Sequence, residues 1–170
     1  DKLEEDDLFG ITCFSIDNRL VSRDLLDSIV EIYFLEKYLG VSSSKRLTVL
    51  DIGAGYGRLA HRMVNALPNI AAYLCTDAVP VSTFISEYYL RYRNLENRAK
   101  VVSLDSIEHA LRNYSVDIAI NIHSFSECRI PAIEWWLSIL AKYRVPYLMI
   151  VPTFPYLRTG QGIDFDDIVE

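Results

Sequence analysis

The sequence predicts an α/β fold with a mostly parallel, doubly wound sheet and helices on both faces. Two observations carry that expectation. Short apolar runs rich in β-branched residues alternate with helical stretches along most of the chain, and polar residues collect where the apolar runs end. Strands this apolar are buried on both faces, which parallel sheets achieve by covering each face with helices.

The elements follow in order. Ser22 is placed to cap the helix RDLLDSIVEIYFLEKYL, which Gly40 stops. That helix is apolar on most faces and is expected to pack against the domain as an N-terminal cover. After the linker VSSSKR, RLTVLDI reads as a buried strand. From Arg58 the pattern is helical, with Leu59, Met63, Val64 and Leu67 on one side, until Pro68 ends it. IAAYLCT is a second strand, and Pro80 opens a helix through VSTFISEYYLRYRNL. KVVSLD, VDIAINI and PYLMIVP are the third, fourth and fifth strands, separated by the helices SIEHALRNY and AIEWWLSILAKY.

At 170 residues, 51% of them hydrophobic and 24% charged, the chain has the size and composition of one globular domain. Residues 1–21 read as an acidic segment and lead-in, with the opening DKLEEDD frayed and solvated. Residues 22–170 form the domain: a covering helix over 22–40, a ligand-binding core over 46–151 and a loop with the start of a further part over 152–170. A net charge of -6 without a basic stripe argues against nucleic-acid partners. Cys13, Cys75 and Cys128 have no CxxC spacing, so neither a disulfide framework nor a metal site is expected. No apolar run reaches the roughly 20 residues that span a bilayer, and no signal-peptide pattern opens the sequence, so a cytoplasmic location is expected.

The stretch VLDIGAGYG carries the chemistry. Gly53, Gly55 and Gly57 permit a tight strand-to-helix turn whose backbone approaches a ligand closely. The spacing is GxGxG, whereas the dinucleotide fingerprint GxGxxG would need glycine at 58, where this chain has Arg58. Asp51 stands two residues before the first glycine, where a carboxylate would attract a positive charge and repel a pyrophosphate. Asp77 lies 20 positions after Gly57, a spacing that brings an acid to ribose hydroxyls. Asp105 ends the third strand, where it could accept a hydrogen bond from an adenine amino group. A cationic amino-acid group, a ribose and an adenine are the three parts of S-adenosylmethionine. For Asp77 and Asp105 the competing role is to cap the following helix.

VLDIGAGYGRLAHRM, with Asp77, resembles the first two motifs of the Rossmann-like S-adenosylmethionine-dependent methyltransferases. GAGYGRLAHRM together with NIHSFSE resembles the sugar O-methyltransferase family more narrowly, over roughly residues 20 to 155. The resemblance implies Asp51 on the methionine amino group, Gly53, Ala54, Gly55 and Gly57 along the cofactor, Asp77 on the ribose, and Asp105 with Ser106 at the adenine. It also implies a small hydroxylated acceptor, a sugar first among them.

Methyl transfer to a hydroxyl needs alignment of two reactants and removal of a proton. NIHSFSE supplies Asn121 as a further cofactor contact, His123 as candidate general base, and Glu127 to orient it or bind a substrate hydroxyl; histidine's ordinary pKa lies near neutrality. The alternative for His123 and Ser124 is a capping role. His61 and His109 read as surface or helix-packing residues. Tyr88, Tyr89 and Tyr92 and the pair Trp135 and Trp136 read as core by their helical spacing, while Phe154 and Tyr156 follow the last strand near the proposed site.

The methyltransferase fold has seven strands and this sequence shows five, so the chain reads as truncated, lacking the last two strands, with its fifth strand unpaired on one side. Two alternatives to a methyltransferase stand beside it: a noncatalytic binding or assembly module on the same fold, and an NAD-dependent oxidoreductase, which the glycine spacing and Asp51 oppose.

Overall fold

The computed structural model describes residues 3–6, 8–153 and 162–163. Strands β1 (Cys13–Ile16) and β2 (Arg19–Ser22) form an antiparallel hairpin that the sequence reading did not anticipate. Its turn is made by Asp17 and Asn18 at φ 49° and 60°, residues that tolerate the left-handed region and suit the right-handed twist of two-residue hairpins. Ser22 then caps helix α1 (Arg23–Leu39) by accepting the Leu25 N–H, and Gly40 closes it at φ 59°.

The main sheet uses β3 (Leu47–Ile52), β4 (Ile70–Thr76), β5 (Ala99–Val101), β6 (Ile118–Ile122) and β7 (Leu148–Val151), all parallel, in the order β5-β4-β3-β6-β7. Between them run α2 (Arg58–Ala66), α3 (Pro80–Tyr92), α4 (Ile107–Asn113) and α5 (Ile130–Lys142). The five expected strands and the helices between them are therefore present. Alternation along each strand divides the core in two. Val49, Tyr73 and Ile120 face Leu35, Met63 and Leu90 on one side, and Leu50, Leu74 and Ala119 face Ile107, Ile133 and Trp136 on the other. Every residue of β3 is buried, as its central position requires.

Three expectations need correction. The acidic opening is anchored, because the Glu5 carboxylate is 4% exposed and accepts hydrogen bonds from Ser22 and from Arg62 at 2.7 Å, with Arg58 at 3.7 Å. Asp6 pairs with Arg93, and Phe9 meets Tyr89 edge-on at 4.9 Å. Helix α1 covers the domain with one face alone: Leu25, Ser28, Glu31 and Leu35 are buried, while Val30 and Tyr33 stay more than 60% exposed. Of the aromatic residues assigned to the core, Tyr89 and Trp136 are buried and Tyr88, Tyr92 and Trp135 are exposed.

Among the described residues β7 pairs with β6 alone. The expectations for Phe154, Tyr156 and the closing residues lie outside the described residues. No helix among the described residues is long and apolar enough to cross a membrane.

Candidate functional site

The sheet order reverses between β3 and β6: the chain leaves β3 toward β4 and returns to place β6 on the other side. A crevice opens beyond the carboxyl ends of strands at such a point. Here a cleft of about 250 Å³ is lined by Asp51, the turn Gly53 to Tyr56, Ile122 and His123, and roofed by Asp27, Ser28 and Glu31 of α1.

The turn after β3 is held from beneath. The N–H groups of Gly53 and Ala54 both donate to the Thr76 carbonyl, at 2.9 and 3.0 Å, and the Gly55 N–H donates to the Asp77 carboxylate at 3.0 Å. Gly53 sits at φ 79°, and a β-carbon there would fall 2.2 Å from the Ser124 Oγ, so two independent constraints require glycine. Gly57, at φ 86°, precedes the first turn of α2 and is buried, so it shapes the turn without lining the cleft.

Asp51 is 3% exposed and accepts the Tyr73 hydroxyl at 2.8 Å. Burial pushes its pKa up to about 7; the Tyr73 hydrogen bond opposes that rise and the Asp77 charge adds to it. Glu31, which the sequence reading passed over, is 9% exposed on α1 and is likewise raised to about 7, by burial and then by the charges of Asp27 and Asp51. Two buried carboxylates that both resist ionisation make a site in want of a cation.

The sign of the resulting pH dependence follows from these shifts. Both folded values lie above the ordinary 3.8 and 4.5, so the ligand-free folded chain holds more protons than the unfolded chain between those limits. Their contribution to stability is complete below the ordinary values and is lost as pH rises through about 7. Thermal melts of the ligand-free chain should therefore show a smaller loss of Tm between about pH 5.5 and pH 8 for Asp51→Asn than for the unaltered protein. An equal loss in both would show that Asp51 does not titrate in that range.

Asp77 closes β4 half-buried, its two oxygens accepting the N–H groups of Gly55 and Val79 at 3.0 and 2.8 Å. Each oxygen retains a lone pair for a further donor, but Asp77 stands behind the turn it supports and does not itself line the cleft. Asp105 lies exposed beyond β5 and accepts the hydroxyls of Ser103 and Ser106, which hold it below the ordinary carboxylate range. Asp105 and Ser106 do not line the cleft.

After β6 the structure separates residues that the sequence reading grouped. Asn121 is wholly buried; its Nδ2 donates to the Ile52 carbonyl at 2.8 Å and the Ser124 hydroxyl at 2.6 Å, and its Oδ1 accepts the Phe125 N–H at 2.9 Å. It clips β3 to the loop after β6 and has no surface to offer a cofactor, which removes it from the contact set. His123 does line the cleft, at φ 63°, with its N–H bonded to the Val151 carbonyl at 2.7 Å. Its Nδ1 is buried without a hydrogen-bond partner among the described residues. Strain and an orphaned ring nitrogen at one residue are features that cluster at functional sites. Glu127 follows a 3-10 turn into solvent and makes no bond to His123 among the described residues, so it does not orient that ring. His61 packs on Tyr89, whose hydroxyl lies 3.0 Å from its Nδ1, and His109 is exposed beside Asn113, as expected of both.

No protein-family model matches the chain. Over 71 residues, 42% of the chain, it is 34% identical to the release factor glutamine methyltransferase of Flavobacterium psychrophilum, of which that segment spans 25%. Among solved structures, the N-terminal domain of human METTL16 in complex with S-adenosylhomocysteine is similar with TM-score 0.60 and 17% identity, over 84% of this chain and 61% of that one. Coclaurine N-methyltransferase bound to N-methylheliamine and S-adenosylhomocysteine is similar with TM-score 0.51 and 18% identity, over 83% of this chain and 39% of that one. The chain thus spans less than two thirds of each of these relatives. The fold is the Rossmann-like fold of methyltransferases.

Proposed function

We propose that this chain binds S-adenosylmethionine and transfers its methyl group to a hydroxyl of a sugar or another small hydroxylated acceptor. The observation that carries the reading is a bare glycine turn facing the buried carboxylate of Asp51, in a cleft at the reversal point of the sheet. The S-adenosylhomocysteine held by METTL16 and by coclaurine N-methyltransferase supports the cofactor. The O-methyl and sugar assignments rest on the narrower resemblance of GAGYGRLAHRM and NIHSFSE.

The residues present fit that cofactor. A cationic ammonium group answers the two carboxylates that burial otherwise keeps partly protonated, and the turn from Gly53 to Gly55 leaves room for the ligand backbone to pass. The resemblance assigns Asp77 to the ribose hydroxyls and Asp105 to the adenine edge, although neither lines the cleft. When bound, the cofactor supplies an electrophilic methyl group on a sulfonium. His123, which lines the cleft, accepts the acceptor's hydroxyl proton.

The test is transfer of labelled methyl from S-adenosylmethionine to a panel of sugars and polyols. We expect label in a methyl ether, and His123→Ala to lower turnover by about 10²- to 10⁴-fold while leaving S-adenosylhomocysteine affinity nearly unchanged. Label on nitrogen alone would overturn the acceptor assignment, and undiminished turnover in His123→Ala would remove that residue from the mechanism. A chain that binds the cofactor yet transfers to nothing would favour the noncatalytic module, a reading to which the outward placement of Glu127 already lends weight.

A further inference from the structure

Glu31 has no task in the fold. It lies on the buried face of α1, 9% exposed, lines the same cleft as Asp51, and makes no hydrogen bond or ion pair among the described residues. Burying a carboxylate without a partner is costly, and proteins avoid it unless something else supplies the charge. Arg62 is the cation whose charge reaches it, but the Arg62 Nη1 is committed to the Asp24 carbonyl at 2.7 Å and the Ser28 hydroxyl at 2.8 Å, and its Nη2 to Glu5 at 2.7 Å. Every other charge acting on Glu31, from Asp24 and Asp27 on its own helix and Asp51 on β3, is negative. Arg58, the other base lining the cleft, faces Glu5 and Asp24 at 3.7 and 3.6 Å.

We infer that Glu31 is a second carboxylate for the amino-acid end of the cofactor, so that the ammonium group is received between Asp51 below and Glu31 on the covering helix above. The inference rests on the reading of the cleft as an S-adenosylmethionine site. It gives α1 a part in binding, because the helix supplies half of the anionic receptor. Because both carboxylates are partly protonated in the ligand-free protein, arrival of the cation expels protons.

The experiment compares two ligands by calorimetric titration near neutral pH. S-adenosylhomocysteine carries the ammonium group, and 5′-methylthioadenosine keeps the nucleoside and thioether but lacks it. In Glu31→Gln, a near-isosteric replacement for the protonated acid, we expect affinity for S-adenosylhomocysteine to fall at least about tenfold, the effect of one charge-assisted hydrogen bond, with 5′-methylthioadenosine unaffected. Repeating the titration in buffers of different ionisation enthalpy should show fewer protons released by the variant. Glu31→Asp, which withdraws the carboxylate by one methylene, is the second variant and should lose affinity selectively for the ammonium-bearing ligand. Equal losses for both ligands, or none for either, would overturn the role of Glu31 while leaving the cofactor assignment in place. Failure of the unaltered protein to bind S-adenosylhomocysteine would overturn both.

Discussion

Gly53→Ala should lose about 3 kcal/mol of stability or more and most of its cofactor affinity. A non-glycine residue at φ 79° costs about 1–2 kcal/mol, and forcing an extra methyl into a filled site adds about 1–3 kcal/mol. The site cannot yield cheaply. The new β-carbon would lie 2.2 Å from the Ser124 Oγ, and that hydroxyl is fixed by the Asn121 amide at 2.6 Å and the Ile52 carbonyl at 3.2 Å. Gly55→Ala is the internal control, because its β-carbon would enter open space at φ 55° and incur only the left-handed strain of about 1–2 kcal/mol. Chemical denaturation should rank the two in that order, and Ser124→Gly should restore part of what Gly53→Ala loses. Equal destabilisation by both alanines would mean that the contact with Ser124 is irrelevant.

Glu5→Ala should cost about 3–5 kcal/mol, the loss seen when one member of a buried ion pair is removed and its partner is left charged. The Glu5 carboxylate is 4% exposed against Arg62 at 3% and Arg58 at 9%, so solvent does little to compensate the two guanidinium groups left behind. For a domain of this size that loss corresponds to a fall in Tm of roughly 10 °C. Glu4→Ala, one residue earlier and exposed, should change stability by less than about 0.5 kcal/mol. If the two variants melt together, the N-terminal segment is not fastened to α2 in solution.

The readable parts of this protein were those written in local patterns. IAAYLCT matches β4 residue for residue, because a short apolar run between Pro68 and Asp77 has few other ways to fold. Asp51 and the glycines were legible for the same reason: a strand, a turn and a helix N-terminus in sequence fix their mutual geometry. The hairpin of β1 and β2 escaped notice because its strands are short and mostly exposed, although Asp17 and Asn18 between FSI and RLV carry a turn signal.

Tertiary placement is what the sequence could not supply. Glu5 and Arg62 stand 57 residues apart, and nothing local says that one buries the other. Glu31 carries no local signal in the helix pattern, and only the docking of α1 over the turn brings it to the cleft. Asn121 was misassigned because a polar residue at a strand end can either meet a ligand or clip neighbouring loops; its complete burial decides for the clip. Glu127 failed as a partner for His123 because the 3-10 turn of Ser124–Ser126 carries it to the surface.

The central claim is that the cleft beside Asp51 and Gly53 binds S-adenosylmethionine. Calorimetric titration of this chain with S-adenosylhomocysteine, with NAD as the control ligand, tests it most directly. We expect binding in the micromolar range for the first and none for the second, since a pyrophosphate would meet the carboxylate of Asp51. Binding of NAD in preference, or of neither ligand by a chain whose cooperative melt shows it to be folded, would contradict the assignment.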